Sequence, residues 1–436
     1  MSAGDALRVL HVAELCNPDW VSVPFEGWQH GRALARHTRS HLVTQYFNAE
    51  NIAKAGLREG HDFTALDTRA VLRPLQRLAR LLRGPDQVGQ TTQTAFDSLA
   101  YYFFEHLLWR RFGPAVRRGE YDVVHRLTPL TPTAPSLIAR RCRAAGVPFV
   151  LGPLNGGLPW PKGFDDVRRS EREWLSYVRG GYKLLPAYRS TRSAAAAILT
   201  GSRATHEQLG QRWLPKAVYV PENGVDLARF DVHRAAPAAL PLRVAFMGRL
   251  VPYKGADMLL AAAAELIRRG QVVVEIIGDG VELPKLRAFA EREQLGEGAR
   301  FPGWVKHAEL KHRLVQCDLF GFPSIREFGG AVVLEAMALG LVPIVVDYGG
   351  PGEHVSPASG FAVPIGRRDE IVTRLRAVLE SLVRDPSVLG PMGRAARERV
   401  RRHFTWQAKA EQVLEVYRWV TGRRADKPDF GLPLRD

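Results

Sequence analysis

The chain has 436 residues, 46% of them hydrophobic, and a formal net charge of +16 at pH 7. This length exceeds what one ordinary hydrophobic core holds and predicts two or three domains. The positive charge favours acidic partners, namely phosphates, nucleic acid or an anionic membrane surface. The three cysteines are widely spaced and form no C-x-x-C pair, which excludes a disulfide framework and a zinc knuckle and indicates a reducing compartment.

The N-terminus lacks a charged leader followed by a long apolar stretch. No run of about 18 uninterrupted apolar residues occurs anywhere in the chain. We therefore expect a soluble, cytoplasmic protein.

Short apolar runs alternate with helical patterns, which is typical of parallel sheets covered by helices on both faces and predicts an α/β fold. The predicted strands are 8–13, 41–45, 122–125, 147–151, 194–200, 217–220, 243–247, 272–277, 318–322 and 342–346. A helix is predicted at 256–270. The stretch 222–242 is rich in alanine and proline and lacks strong periodicity, so it predicts a hinge between two domains.

Residues 326–340, REFGGAVVLEAMALG, place two glutamates around a Phe-Gly-Gly triplet. We expect a short helix that begins after Gly330, with free backbone N–H groups that attract an anion. Glu335 lies one turn into this helix and points back toward its start, where a carboxylate can bind the two hydroxyls of a nucleotide ribose. Glu327 precedes the glycines and would lie close to the group beyond the phosphates. The alternative is a capping acid and a surface glutamate.

The segment GRLVPYKG, 248–255, follows a predicted strand and places Arg249 and Lys254 in a loop. Open α/β sheets bind ligands at the carboxyl ends of their strands. An arginine can bind a diphosphate through two hydrogen bonds, and a lysine adds a point charge. The alternative is a pair of solvated surface cations.

A set of segments in the second half of the chain resembles the retaining glycosyltransferases of family 4. These enzymes have the GT-B architecture, in which two Rossmann-like doubly wound parallel-sheet domains face each other across a cleft. The segments are NGVD at 223–226, GRLVPYKG at 248–255, IIGDGVELPKL at 276–286, FPGWV at 301–305, DLFGFPSIREFGGAVVLEAMALG at 318–340 and VVDYGGPGEHV at 345–355.

The resemblance implies two domains and a set of donor-binding residues. The first domain, 1–225, would lie on the acceptor side and be rejoined by a C-terminal helix at 412–436, while 226–411 would bind the nucleotide-sugar donor. Arg249 and Lys254 would hold the diphosphate, Glu335 the ribose, and Glu327 would face the transferred sugar. Further donor contacts are implied for Phe328, Gly329 and Gly330, and for the edge against the nucleobase at Gly303, Trp304 and Val305.

The first half carries two more candidates from the same resemblance. His125 ends a predicted strand and resembles the family's histidine that faces the donor sugar, so it joins Glu327, Arg249 and Lys254 as a candidate catalytic residue. Gly27 resembles a family glycine near the diphosphate. The family commonly has a second glycine at the next position, where this chain has Trp28.

The loop LGPLNGGLPWPKGF, 151–164, departs from the turn that many relatives carry after the corresponding strand. Asn155 offers a side-chain amide, and Gly156 and Gly157 offer backbone N–H groups. We interpret these three residues as part of an acceptor or donor-sugar site. A purely structural turn is the alternative.

No D-x-D sequence occurs in the chain. Metal-dependent GT-A enzymes typically hold a divalent ion with such a pair of acids. The two loop cations can neutralise the diphosphate instead, so we expect neither a metal nor another cofactor.

The stretch VLRPLQRLARLLRG, 71–84, places Arg73, Arg77 and Arg80 on one helical face and leucines on the opposite face. Such a helix can contact an anionic membrane surface, and each basic residue then contributes about 1 kcal/mol. This suggests a peripheral contact with the inner face of the membrane. Packing of the leucines on the first domain is the alternative.

These features predict a metal-independent, retaining hexosyltransferase. It would move a sugar from a nucleoside diphosphate, with UDP favoured over GDP-mannose, to a hydroxyl of a glycan or lipid-linked acceptor in cell-surface polysaccharide or glycoconjugate synthesis. A nucleotide-sugar-binding protein, an epimerase or a phosphorylase on the same fold is the alternative. A nucleic-acid partner fits the charge but not the motifs, because the chain has neither zinc-finger spacing nor an RNP-like aromatic strand.

Overall fold

The computed structural model describes residues 6–70, 90–170, 186–234 and 238–435, which form two β-sheets. The strands of the first sheet are β1 (Arg8–Ala13), β2 (Arg39–Gln45), β3 (Phe63–Leu66), β4 (Val123–Thr128), β5 (Phe149–Leu154), β6 (Ala197–Thr200) and β7 (Ala217–Tyr219). Those of the second are β8 (Leu242–Met247), β9 (Val272–Ile277), β10 (Ala299–Gly303), β11 (Leu319–Phe322), β12 (Val342–Asp347) and β13 (Phe361–Pro364). All ten predicted strands are confirmed, with shifted ends.

Three strands were missed by the sequence pattern, and all three lie at sheet edges: β3, β10 and β13. They have only four or five residues each, and β10 and β13 contain proline. An edge strand needs no continuous apolar run, because it has a neighbouring strand along only one of its two edges and is less buried than a central strand. A short strand of this kind leaves little signal in the sequence.

Helices cover both sheets. The helices of the first half are α1 (Val23–Ala35), α2 (Ala49–Lys54), α3 (Gln90–Arg117), α4 (Ile138–Ala144), α5 (Asp165–Ser170), α6 (Pro186–Ala194) and α7 (Arg203–Gln208). Those of the second are α8 (Ala256–Arg268), α9 (Leu283–Arg292), α10 (His307–Leu314), α11 (Ala331–Ala338), α12 (Gly350–His354), α13 (Arg368–Arg384), α14 (Leu389–Arg399) and α15 (Trp406–Val420). The helices predicted at 256–270 and after Gly330 are α8 and α11.

Strand order places the ligand-binding edge of each sheet. The orders are β3-β2-β1-β4-β5-β6-β7 and β10-β9-β8-β11-β12-β13, and every neighbouring pair is parallel. The direction of winding reverses between β1 and β4 in the first sheet and between β8 and β11 in the second. Open α/β sheets bind ligands at the carboxyl ends of the strands that flank such a reversal.

Helix α15 follows the second sheet in the chain but packs on the first. Its residues Val413, Val416 and Tyr417 are buried in a core cluster that also holds β1 and α1 residues. The ring of Trp406 meets His30 of α1 edge to face at a centroid distance of 5.0 Å. The returning helix thus begins at Trp406, ahead of the boundary at 412 expected from the sequence.

No helix within the described residues is long and apolar enough to cross a lipid bilayer. The basic segment 71–84 lies outside the described residues. The membrane contact expected there stays a prediction.

The hydroxyl of Tyr417 tests how strongly α15 is tied to the first sheet. We expect Tyr417→Phe to lower the free energy of unfolding by about 1–2 kcal/mol, because it leaves the buried Nδ1 of His125 without its 2.5 Å hydrogen bond. Tyr348→Phe is the control, since its hydroxyl donates to Pro159 O at 2.7 Å at an exposed site. Urea unfolding followed by tryptophan fluorescence measures both. An equal loss in the two variants would contradict the expectation.

Candidate active site

A cavity of about 950 Å³ lies between the carboxyl edges of the two sheets. Its walls are the loops that follow the four strands at the two reversals of winding. These loops contribute Trp20 and Ser22 after β1, Leu130 and Thr131 after β4, Gly248, Arg249 and Lys254 after β8, and Glu327, Phe328, Gly329 and Gly330 after β11. Both sheets therefore present their expected ligand-binding edges to one space.

The two predicted cations line this cavity and have different surroundings. Arg249 is exposed, and its Nη2 donates to the hydroxyl of Tyr253 at 3.0 Å. Lys254 forms an ion pair with Glu327, and their side chains are only 15% and 20% exposed. A diphosphate that enters the cavity would meet an exposed guanidinium and an ammonium already held beside a carboxylate.

Helix α11 points its start at the cavity. Gly330 precedes the helix with φ 71°, a left-handed conformation that favours glycine. A Cβ on Gly329 would clash with Asn223 Nδ2 and lie 2.6 Å from Glu222 Oε1, so a side chain at this position would displace those of Asn223 and Glu222. Glu335, one turn into the helix, lines the same cavity. Its carboxylate thus lies in the cavity that the helix start faces, as its position in the sequence predicts.

The loop after β10 supplies another wall of the cavity. Trp304, which is 75% exposed, and Val305 line the cavity. Gly303 does not line it in the described structure, because it still belongs to β10, and its carbonyl accepts a hydrogen bond from Gly278 N at 2.9 Å. The donor contacts expected of Gly303, Trp304 and Val305 stay predictions.

Gly27 packs within the first half of the chain, and the place near a diphosphate expected of it stays a prediction. This residue lies inside α1, is buried, and is absent from the described cavity wall. A Cβ there would clash with Leu15 O and lie 2.9 Å from Thr128 Cγ2, so glycine is needed for the close packing of α1 on the loops after β1 and β4. The residues of α1 that reach the cavity are Val23, Phe25, Glu26 and Gln29 in its first half.

His125 lies in β4, and the catalytic role expected of it stays a prediction. The side chain is fully buried in β4. Its Nε2 donates to Gly152 O at 2.6 Å, and its Nδ1 accepts from the hydroxyl of Tyr417 at 2.5 Å. Burial lowers the pKa of His125 well below its usual value. Both ring nitrogens are used inside the fold, and the histidine joins the first sheet to α15.

The loop after β5 does reach the cavity. Asn155, Gly156 and Gly157 all line it. Asn155 is 7% exposed, and its Oδ1 accepts from Gly156 N at 2.8 Å and from Ser202 Oγ at 2.9 Å. The predicted polar rim on the side of the first sheet is thus in place, and its function stays a prediction.

Three acids of the cavity wall were missed by the sequence reasoning, Glu26, Glu222 and Asp226. Burial raises the pKa of Glu222 to about 7; the Asn155 side chain opposes this rise, and the nearby charges of Glu327 and Glu353 add to it. Burial and then the charges of Glu222 and Glu335 raise the pKa of Glu26 well above its usual value. In the sequence, only the position of Glu222 beside the Asn-Gly pair at the predicted hinge could have indicated a cavity acid.

Glu353 of α12 connects the two halves beside the cavity. Its Oε2 accepts hydrogen bonds from Arg203 N at 2.8 Å and from the hydroxyl of Tyr219 at 2.7 Å. The Arg203 side chain also forms an ion pair with Asp347 at 2.9 Å. Burial raises the pKa of Glu353 to about 7, although both hydrogen bonds oppose the rise. Within the described residues, no group of three or more His, Cys, Asp or Glu side chains is arranged to hold a metal ion.

Comparisons with known proteins agree with this geometry. Residues 236–398 match the family model for glycosyl transferases group 1. Glycogen synthase of Mycobacterium tuberculosis is 30% identical over 242 residues, which are 55% of this chain and 57% of that protein. D-inositol 3-phosphate glycosyltransferase of Segniliparus rotundus is 35% identical over 219 residues, 47% of each chain. The chain spans about half the length of the curated relatives it matches.

Solved structures resemble the whole chain. Anabaena HepE in complex with UDP superimposes with a TM-score of 0.62 at 17% identity, covering 94% of this chain and 99% of that one. Sucrose-phosphate synthase of Thermosynechococcus elongatus gives a TM-score of 0.59 at 17% identity, covering 96% and 100%. The two parallel sheets and this likeness define the GT-B fold. Within that fold, residues 236–398 are the part of the chain that matches the glycosyl transferases group 1 model.

The buried carboxyl of Glu353 predicts a pH dependence of stability. The folded protein keeps its proton up to about pH 7, whereas an ordinary glutamate releases it near 4.5. The folded state therefore binds more protons in this window, and the free energy of unfolding falls as the pH rises, by up to about 1.4 kcal/mol per pH unit for one such group. We expect Glu353→Gln to flatten this fall.

Thermal unfolding between pH 5 and pH 8 measures the slope. The exposed Glu207→Gln on α7 is the control and should leave the slope unchanged. A slope that is the same in Glu353→Gln and the wild type would contradict the expectation.

Proposed function

We propose that this protein is a retaining glycosyltransferase of family 4. It would move a sugar from a nucleoside-diphosphate donor to a hydroxyl of a glycan or lipid-linked acceptor in cell-surface polysaccharide or glycoconjugate synthesis. The observation that carries the proposal is the shared cavity, in which Arg249, Lys254, Glu335 and the start of α11 converge. Two phosphates with an attached ribose match this set of two cations, amide N–H groups and one carboxylate.

The proposed chemistry relies on stabilising the leaving group. When the bond between the sugar and the diphosphate opens, negative charge develops on the phosphate oxygens. Arg249, Lys254 and the N–H groups at the start of α11 would take up this charge without reorganising. The same groups would neutralise the diphosphate without a metal. Activity of the purified enzyme in EDTA would support that part of the proposal.

Glu327 would face the transferred sugar while it holds Lys254. A carboxylate beside the reacting carbon favours the positive charge that develops on the sugar ring in the transition state. In the retaining reaction that we propose, a leaving phosphate oxygen accepts the proton of the acceptor hydroxyl on the same face of the sugar. The acceptor would approach along the first sheet, past Thr131 and the loop 155–157.

The comparisons support a UDP-sugar as the donor. The HepE structure contains UDP, and another HepE structure contains UDP-glucose. A GDP-mannose-dependent mannosyltransferase of Corynebacterium glutamicum is 30% identical over 181 residues, so GDP-mannose stays in the set of donors to be tested. A thermal-shift screen with UDP, GDP, ADP and their sugars would identify the nucleotide, because a ligand of the folded state raises the midpoint of unfolding. Release of nucleoside diphosphate only when an acceptor is added would distinguish transfer from isomerisation.

Donor binding is the first test of the assigned groups. We expect Arg249→Ala, Lys254→Ala and Glu335→Ala each to weaken binding of the preferred nucleoside diphosphate about 10- to 100-fold, since each removes a hydrogen bond to a charged group. Isothermal titration calorimetry measures the dissociation constants. Lys285→Ala, an exposed lysine on α9, is the control. Affinities within twofold of the wild type in all three variants would refute the site.

Glu327 is expected to behave differently from these three. Glu327→Ala frees Lys254 from its carboxylate partner, so the nucleoside diphosphate should bind as well as in the wild type or more tightly. The same variant loses the carboxylate that would face the sugar, and kcat should fall about 100-fold or more. Calorimetry and a transfer assay measure the two quantities. Weaker diphosphate binding together with unchanged kcat would contradict this assignment.

A further inference from the structure

Two polar side chains that the donor scheme does not use lie together in the cavity wall. Glu222 follows β7 and is 9% exposed, and Asn155 follows β5 and is 7% exposed. Both line the cavity from the first half of the chain, and Glu222 also approaches Gly329 of the second. The carboxyl and the amide thus lie where the two halves meet.

The position of Glu222 is fixed from three sides. Its backbone carbonyl accepts a hydrogen bond from His30 Nε2 of α1 at 2.9 Å. Its Oε1 lies 2.6 Å from the place that a Cβ of Gly329 would occupy, beside the start of α11. Its Cβ lies 3.3 Å from the corresponding point on Gly201, next to Asn155. Glu222 therefore contacts α1, the start of α11 and the segment beside Asn155 at once.

The side-chain amide of Asn155 is fixed in orientation, and its Nδ2 is available as a hydrogen-bond donor. Its Oδ1 accepts from Gly156 N and from Ser202 Oγ, which leaves Nδ2 as the donor end of the amide. This Nδ2 is buried and has no hydrogen-bond partner among the described residues. It still lies close enough to Glu222 to favour the charged form of that carboxyl and lower its pKa against the effect of burial. A buried amide donor without a partner is costly, and a ligand atom that accepts from it removes the cost.

We propose that Asn155 and Glu222 bind one hydroxyl group of a sugar in the cavity. Nδ2 of Asn155 donates a hydrogen bond to the hydroxyl oxygen, and the Glu222 carboxyl accepts a hydrogen bond from the hydroxyl group. This pairing uses both hydrogen-bonding capacities of an alcohol and fits no anion, because a carboxylate repels one. The proposal rests on the proposed function, since it places a sugar in the cavity.

The hydroxyl can come from the transferred sugar or from the acceptor. A site for the transferred sugar affects binding of the nucleotide sugar but not of the nucleotide. A site for the acceptor leaves both affinities unchanged and affects the step in which a hydroxyl attacks. Water takes the place of the acceptor hydroxyl when a nucleotide sugar is hydrolysed slowly without acceptor, so hydrolysis reports on this second case.

The test compares Asn155→Ala, Glu222→Ala and the conservative Glu222→Gln with the wild type. The probes are UDP, GDP, UDP-glucose and GDP-mannose, and the readouts are calorimetric affinity and the rate of nucleoside diphosphate release without acceptor. We expect the two alanine variants to lose about tenfold, the value of one hydrogen bond to a buried polar group, in one of the two readouts. Glu222→Gln keeps an acceptor oxygen and should stay within about threefold. The exposed Glu207→Gln is the matched control.

Each result of this test either supports or overturns the proposed hydroxyl site. A tenfold loss of nucleotide-sugar affinity with unchanged nucleotide affinity assigns the pair to the transferred sugar. Unchanged affinities with tenfold slower hydrolysis assign it to the acceptor hydroxyl. Wild-type values in both readouts, or an equal loss of affinity for the nucleotide itself, overturn the proposal. If the wild type binds none of the four probes, the proposed function fails first, and that failure is distinct.

Discussion

The close approach of Gly329 to residues 222 and 223 is the constraint on which the cavity depends. A Cβ at position 329 would clash with the side chain of Asn223 and crowd that of Glu222. This contact brings the start of α11, from the second sheet, against the segment that leaves the first sheet. The amide N–H groups of the helix start therefore face a space that both sheets enclose. A larger residue at position 329 would displace the side chains of Asn223 and Glu222 from this contact.

Charge inside the cavity is balanced in a way that the overall charge of +16 conceals. Five acids line the wall, Glu26, Glu222, Asp226, Glu327 and Glu335, against the cations Arg229, Arg249 and Lys254. The acids stand in two kinds of surroundings. Glu327 is neutralised by Lys254, whereas Glu222 and Glu26 are buried without such a partner and have raised pKa values. Ionised and protonated carboxyls can therefore exist side by side near neutral pH, which suits a cavity that must bind both phosphates and hydroxyl groups.

Two of the connections between the halves of the chain hold the two sheets in place around this cavity. Helix α15 crosses from the second sheet and buries Trp406 and Tyr417 on the first. Glu353 reaches the other way and accepts hydrogen bonds from Arg203 and Tyr219. The first contact is largely apolar, whereas the second is a buried polar contact whose strength follows the protonation of one carboxyl.

The sequence alone determined the α/β fold, ten of the strands and most of the second-half cavity wall, because these features depend on local order: a strand, a loop of fixed length and a helix start. Arg249, Lys254, Phe328 and Glu335 are placed by the short segments that contain them. Only the tertiary structure decided the surroundings of residues that contact distant parts of the chain. His125 is hydrogen-bonded to Tyr417, which lies 292 positions away, and Gly27 is needed for the close packing of α1. Glu222 becomes a buried cavity acid only when α1, α11 and the loop after β5 close around it, and no local pattern encodes that meeting.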